Sequence, residues 1–152
     1  MNYKYLLDTN VLLRAADTSE TSNIAVSAIA KILKEGNQCV ITSQVIVEFW
    51  AVATRPLTVN GLGWTPEEAR EKIDLIKSQF VLLEDKNDIL QNWLELVTKY
   101  SIKGKRCHDI RLLAVMKSHN ISHILTFNPK DFIQLSDITI INPLDIISDT
   151  FG

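Results

Sequence analysis

Short apolar runs of strand length alternate along this chain with stretches of helical periodicity, and that alternation restricts the folds open to it. Tyr5-Leu6-Leu7, Cys39 to Thr42, Phe80 to Leu83, His123 to Phe127 and Ile138 to Ile141 are the five strand-like runs. Between them, Ile24, Ala28, Ile29, Ile32 and Leu33 recur at three- and four-residue spacings and mark a helix over Asn23 to Lys34, stopped at Gly36. Ser43 is placed to cap a helix running to about Thr54. Thr65-Pro66-Glu67-Glu68 carries an N-cap, a Pro at the first helical position and the Glu of a capping box. Further helices are expected over Asp88 to Tyr100 and His108 to His119, and a loop over Arg55 to Trp64, punctuated by Pro56, Asn60-Gly61 and Gly63. Strands separated by helices form parallel sheets covered on both faces, and continuous apolar strands suit such burial. The expected fold is one α/β domain spanning residues 1–152, a parallel five-stranded sheet flanked by helices. In such sheets ligands bind at the carboxyl ends of the strands, so the residues that follow each strand matter most.

Composition fits this reading. The chain has 152 residues, enough for one good core, with 46% hydrophobic and 22% charged residues. No apolar run approaches the roughly 18–20 residues of a membrane span. The few apolar residues before Asp8 are too short for a signal-peptide core, so a cytoplasmic location is expected. Cys39 and Cys107 stand far apart, apart from His108 without neighbours at zinc-ligand spacing, and are read as free thiols. The net charge of -2 is no mark of a nucleic-acid binder, but its distribution is uneven. From Leu96 to Ser118 there are six basic residues, Lys99, Lys103, Lys105, Arg106, Arg111 and Lys117, around the single acid Asp109. A local patch of that kind attracts a polyanion even on a slightly acidic chain.

Several acids stand where the strands end. Asp8 closes the first strand and could equally cap a helix. Glu48 lies in Val45-Ile46-Val47-Glu48-Phe49-Trp50-Ala51-Val52-Ala53, a helix apolar nearly all round and so expected to be buried. A carboxylate there costs several kcal/mol, on the order of a buried ion, unless a cation or an Arg compensates it. Asp109 stands at a helix start, where the macrodipole alone would favour it. Asn128 and Asp131 follow the fourth strand, in a segment that also reads as a plain helix start on Asn128-Pro129. Clustered carboxylates stay ionised most easily around a divalent cation, and an all-oxygen donor set selects Mg²⁺ or Mn²⁺ over zinc.

Leu6-Leu7-Asp8-Thr9-Asn10-Val11-Leu12, Val47-Glu48-Phe49, His108-Asp109-Ile110-Arg111-Leu112-Leu113-Ala114 and Leu125-Thr126-Phe127-Asn128-Pro129-Lys130-Asp131-Phe132 occur in the order and spacing of the PIN domain. Together they resemble in particular the toxin nucleases of bacterial toxin–antitoxin pairs, over nearly the whole chain. The resemblance implies an α/β/α sandwich and metal-assisted hydrolysis of RNA phosphodiester bonds. It puts Asp8, Glu48 and Asp109 at the acidic metal-ligand positions, Asp8 and Asp109 holding Mg²⁺ or Mn²⁺ and Glu48 ligating directly or through water. Thr9, Asn10 and Thr126 would orient the carboxylates. Many members carry Asp at the fourth position where this chain has Asn128, which weakens the case for a second tightly held metal; Asp131 would support the site from behind. A non-cleaving PIN-like domain that binds RNA or a partner is the alternative that Asn128 keeps open. A haloacid-dehalogenase-like phosphatase would need a second Asp at the position of Asn10, and a receiver domain paired early acids and a late Lys, neither of which is clear here.

Four further expectations complete the reading. Lys103, Lys105, Arg106 and Arg111 would contact phosphate. Arg55 to Trp64 would wall the substrate cleft, with Asn60 offering a donor and an acceptor to a base or phosphate. An antitoxin peptide is expected to enter the acidic pocket, and self-association as a homodimer is expected. Trp64 and Trp93, outside the strands, are candidates for an exposed partner surface.

Overall fold

The structure, a computed structural model, describes residues 2–17 and 22–148. Its elements follow in the order β1 (Lys4–Leu7), α1 (Thr9–Ala16), α2 (Ser22–Lys34), β2 (Gln38–Thr42), α3 (Ser43–Thr54), α4 (Pro66–Gln79), β3 (Val81–Leu83), α5 (Ile89–Lys99), α6 (Arg106–Ser118), β4 (His123–Leu125), β5 (Thr139–Ile141) and α7 (Pro143–Ser148). The five strands form one all-parallel sheet in the order β3-β2-β1-β4-β5. Right-handed crossovers put the helices linking β1 to β2 and β2 to β3 on one face, and those linking β3 to β4 on the other. The packing agrees: α1 lies on α2 and α3, α3 on α4 and α2 on α7, while α5 and α6 pair separately. This is the expected sandwich.

The three inner strands are buried on both faces, with Leu6, Leu7, Val40, Ile41, Ile124 and Leu125 sealed from solvent. The edge strands are more open, as Val81 and Leu82 are on β3. Among the described residues no helix is long and apolar enough to cross a membrane. Strand order reverses between β1 and β4, the switch point where open α/β sheets leave a crevice. Asp8 and Thr126 are the residues immediately past those two strands. The backbone continues the ladder there, Asp8 N–H donating to the Leu125 carbonyl at 3.0 Å and Thr126 N–H to that of Ile141 at 2.9 Å.

Local chemistry explains the starts of α1, α3 and α4. Thr65 accepts from Glu68 N–H, and Glu68 reaches back to Thr65 N–H, closing the capping box on α4. Such a cap stabilises a helix by about 1 kcal/mol. Several boundaries differ from expectation. Helix α1 follows Asp8 at once, in a stretch where the periodicity marks no helix, because Asp8 Oδ1 accepts from Thr9 N–H and caps it. Thr42 rather than Ser43 caps α3, its Oγ1 accepting from Val45 N–H at 3.1 Å. The segment after Asn128 is only a short 3-10 turn over Pro129–Asp131, without a side-chain cap.

Helix α3 corrects a larger expectation. Its buried stripe is Val45, Phe49 and Ala53, spaced by four, whereas Val47 is 67% and Trp50 38% exposed. It is therefore amphipathic in packing though apolar in composition, and Glu48, between its two faces, is half-buried rather than sealed. The desolvation argument for Glu48 falls accordingly.

The loop after α3 is also not what its composition suggested. It leaves the helix about two turns past Glu48, some 10 Å along the axis by helix rise, and folds back on that end. Leu62 N–H donates to the Val52 carbonyl, Trp64 N–H to that of Ala53 and Gly63 N–H to that of Arg55, at 2.8–3.1 Å. The loop thus satisfies last-turn carbonyls that a helix end leaves unpaired. Asn60, in the left-handed region at φ 62°, sits in that turn and not at the carboxyl edge of the sheet. Trp64 meets Phe49 edge-on at 6.0 Å between ring centroids, and Trp93 Nε1 donates to the Cys107 carbonyl at 2.8 Å. Both indoles pack against the core, so neither forms the exposed patch inferred from the sequence.

Candidate active site

Asp8 is 7% exposed and held from three sides. Its Oδ1 accepts from Thr9 N–H at 2.8 Å; its Oδ2 accepts from Thr126 Oγ1 at 2.8 Å and from Asn10 Nδ2 at 3.4 Å. Thr126, wholly buried, also receives Asn128 N–H at 3.1 Å and Asn10 Nδ2 at 3.3 Å. Asn10 Oδ1 accepts from Phe127 N–H at 3.1 Å. The start of α1 is thereby laced to the chain leaving β4, with both carboxylate oxygens of Asp8 engaged.

Glu48 enters from α3. Its Oε2 accepts from Thr9 Oγ1 at 2.9 Å, and its Oε1 from Gln44 Nε2 at 2.9 Å. Asp109 enters from the first turn of α6, which begins at Arg106, two residues earlier than expected. Burial pushes the Asp8 carboxyl up to about 6; donors from Thr126 and Thr9 work against the shift, and Glu48 and Asp131 add to it. Burial also lifts Asp109 to about 6, with Asp8, Asp131 and Glu48 reinforcing it and His108 opposing. Acids from the end of β1, from α3, from α6 and from the turn after β4 therefore share one field at the switch point, in which Glu48 and Asp131 resist the ionisation of Asp8 and Asp109.

That field bears on the expected cation. Among the described residues no three Asp, Glu, His or Cys side chains converge tightly enough to cage an ion by themselves. Mg²⁺ seldom needs such a cage, since it keeps several waters and takes one or two carboxylates plus substrate phosphate. Two carboxylates that burial and neighbouring acids make reluctant to ionise, with further oxygen donors beside them, fit such a water-rich site. They do not fit a dry structural one.

The remaining expected residues divide. Thr9, Asn10 and Thr126 each bond to Asp8 or Glu48. Asn128 contributes its backbone N–H to Thr126 while its side chain is exposed, and it is Asp131, also exposed, whose charge reaches Asp8 and Asp109. Lys103, Lys105 and Arg106 are exposed on the turn that opens α6, beside the turn that carries Asp109. Arg111 is engaged within the protein: Nη1 donates to Gln44 Oε1 at 2.9 Å, and Nη2 lies 3.7 Å from Asp85 Oδ1. Asn60 is the one expected site residue that the fold carries to another end of a helix. Gln44, bonded to Glu48, is a residue of this cluster that the sequence reading missed. Its signal was available in the four-residue spacing to Glu48, which puts both on one helix face.

Comparison with known proteins bears on the fold and the family of the chain. No curated protein matches the chain by sequence. Solved structures share its fold: VapBC-1 from nontypeable Haemophilus influenzae, at 17% identity, covers 93% of this chain and 98% of its own with a TM-score of 0.66. VapBC2 from Rickettsia felis, solved bound to a DNA fragment from its promoter, gives 20%, 91%, 98% and 0.64 on the same measures. VapC20 from Mycobacterium tuberculosis, described as a Sarcin-Ricin loop cleaving toxin, gives 15%, 79%, 86% and 0.57. Residues 5–138, from β1 to the threshold of β5, match the PIN domain, and the chain belongs to that family.

Proposed function

We propose that this protein is an Mg²⁺- or Mn²⁺-dependent endoribonuclease and the toxin of a toxin–antitoxin pair. The observation that carries the reading is the shared acidic field of Asp8, Glu48 and Asp109, which arrive from three separate elements at the switch point of a PIN domain. Asp8 and Asp109 are the carboxylates suited to hold the ion, with Glu48 acting beside them directly or through water. When bound, the ion supplies a lowered pKa to a water and positive charge beside the phosphate. The chain supplies the rest. Thr126, Asn10 and Thr9 hold Asp8 and Glu48 in fixed orientations, so little reorganisation accompanies reaction. Lys103, Lys105 and Arg106 offer mobile positive charge to the polyanion as it nears Asp109.

The partner half of the reading rests on a different surface. An open apolar groove of about 570 Å³ runs between α1, α2 and α4, lined by Leu12, Val26, Ile29, Leu33, Leu75 and Phe80 among others. Val26, Leu33 and Leu75 are each close to half-exposed. Grooves of this kind receive amphipathic helices, and an antitoxin helix is the occupant proposed here, besides the antitoxin peptide expected in the acidic pocket, since one structural relative is a toxin–antitoxin complex from Klebsiella pneumoniae. The work would take place in the cytoplasm, where RNA is available and the thiols of Cys39 and Cys107 stay reduced.

The test is cleavage of pooled structured RNA with Mg²⁺, with Mn²⁺ and with EDTA. Metal-dependent fragments that vanish in Asp109→Asn support the nuclease. Tight binding without fragments in any metal would instead favour the non-cleaving reading, for which the outward-facing Asn128 is the specific observation.

A further inference from the structure

One amide connects three of the groups just described, and its donor and acceptor ends cannot be interchanged. Gln44 Nε2 donates to Glu48 Oε1 at 2.9 Å and to the His108 carbonyl at 2.7 Å, while Gln44 Oε1 accepts from Arg111 Nη1 at 2.9 Å. A carboxylate and a carbonyl only accept, and a guanidinium only donates. With the amide turned over, all three contacts would be repulsive, so the chemistry of the partners fixes its orientation. Arg111 is itself anchored by Asp85, which Ser43 Oγ holds at 2.6 Å.

We infer that Gln44 is a positioning residue for the acidic pocket, setting both the orientation of the Glu48 carboxylate and the spacing between α3 and the first turn of α6. The inference rests on the metal-site reading above and deepens it. Glu48 would otherwise be held at one oxygen only, by Thr9. With Gln44 on the other oxygen, its carboxylate plane is fixed, and each oxygen keeps a lone pair for a cation or its water. The bond to the His108 carbonyl reaches the residue adjoining Asp109, so the same amide spans from the helix bearing one acid to the helix bearing the next. Arg111 completes the arrangement by polarising the amide from behind, without placing its charge directly on Glu48.

The test uses the full chain and Mn²⁺ alone, followed by electron paramagnetic resonance without RNA. Gln44→Leu keeps a good helix former at a half-buried position and removes all three hydrogen bonds. It should weaken Mn²⁺ binding by about tenfold or more, the usual effect of losing a group that orients a ligand. In a Glu48→Ala background the same change should weaken binding clearly less, by only what the spacing of Asp109 contributes, because most of its effect passes through Glu48. Equal weakening in both backgrounds, or none in either, overturns the inference. Amide exchange at Cys107 to Asp109 in metal-free protein should quicken in Gln44→Leu, and unchanged exchange overturns the spacing role. Should Gln44→Leu fold poorly, Gln44→Met keeps the chain's unbranched length and is judged by the same outcomes. Wild type that cleaves RNA in no metal overturns the nuclease reading, whereas cleaving wild type with Mn²⁺ binding weakened only in the variants upholds both.

Discussion

Thr126 Oγ1 donates to Asp8 Oδ2 at 2.8 Å across 118 residues of sequence, from the end of one neighbouring strand to the end of another. Thr126→Val keeps the shape and removes the hydroxyl. It leaves the Asp8 carboxylate short of a donor and Asn128 N–H short of an acceptor. The expected loss is about 1–3 kcal/mol of stability, together with a lower kcat as Asp8 gains freedom. Thermal unfolding and single-turnover cleavage check both, and an unchanged kcat would reduce Thr126 to a structural group.

Asp109→Asn should abolish cleavage yet raise the melting temperature of metal-free protein at pH 7.5. Asp109 ionises there against burial and against Asp8, Asp131 and Glu48. Its half-exposed position screens part of that cost, so a gain near 1 kcal/mol, a few degrees, is expected. A variant that still cleaves, or that melts well below wild type, would contradict the site assignment.

Stability in EDTA should fall as pH rises from about 4 to about 6. Asp8 and Asp109 ionise near 6 when folded and near 4 when unfolded. Within that window the folded chain binds more protons, so raising pH favours the unfolded state. The two groups are free of penalty below the window and carry all of it above. Saturating Mg²⁺ at pH 7.5 should recover the loss. Melting curves at several pH values, with Asp109→Asn as reference, isolate the effect; a gap between the two proteins that does not widen with pH would refute it.

Neutralising Lys103, Lys105 and Arg106 together should weaken RNA binding and flatten its dependence on salt. Each phosphate that a side-chain cation no longer neutralises takes about one unit or slightly less off the log–log slope. Titrations at several salt concentrations measure this. An unaltered slope would leave the turn as solvated surface.

Gly61→Ala should destabilise the protein by more than about 2 kcal/mol with kcat/KM for the folded fraction unaltered, because a Cβ there would fall on the Arg55 carbonyl. Asn60→Gly, at a left-handed position, should be close to neutral for both. A changed KM in either variant would return this loop to the substrate cleft.

Strand positions, helix periodicity and the capping box are legible in the amino-acid order, because each depends on residues near one another in sequence. The short helix α1 is not, since its signal, Asp8 as a cap, cannot be separated there from Asp8 as a strand-end acid. In the structure one carboxylate does both, with Oδ1 on the helix and Oδ2 toward Thr126. Glu48 stands out in the sequence for burial it does not have; the apolar run around it divides between a core stripe and an exposed face, and composition carries no record of which side meets solvent.

The sequence by itself determined that five apolar runs would pair in parallel with helices between them, and that Asp8, Glu48, Asp109 and Thr126 would follow strand ends or open helices. Periodicity and capping are local properties, so the amino-acid order suffices for them. Strand order was decided only in three dimensions. The crossover from β3 to β4 passes back over the sheet and seats β4 beside β1, which puts Thr126 against Asp8 and brings α6, with Asp109, opposite α3. Gln44, Arg111 and the His108 carbonyl then meet, and the Arg55–Trp64 loop closes the far end of α3. Those contacts depend on which strands are neighbours and on the side of the sheet each helix takes, and both follow from packing the whole chain at once.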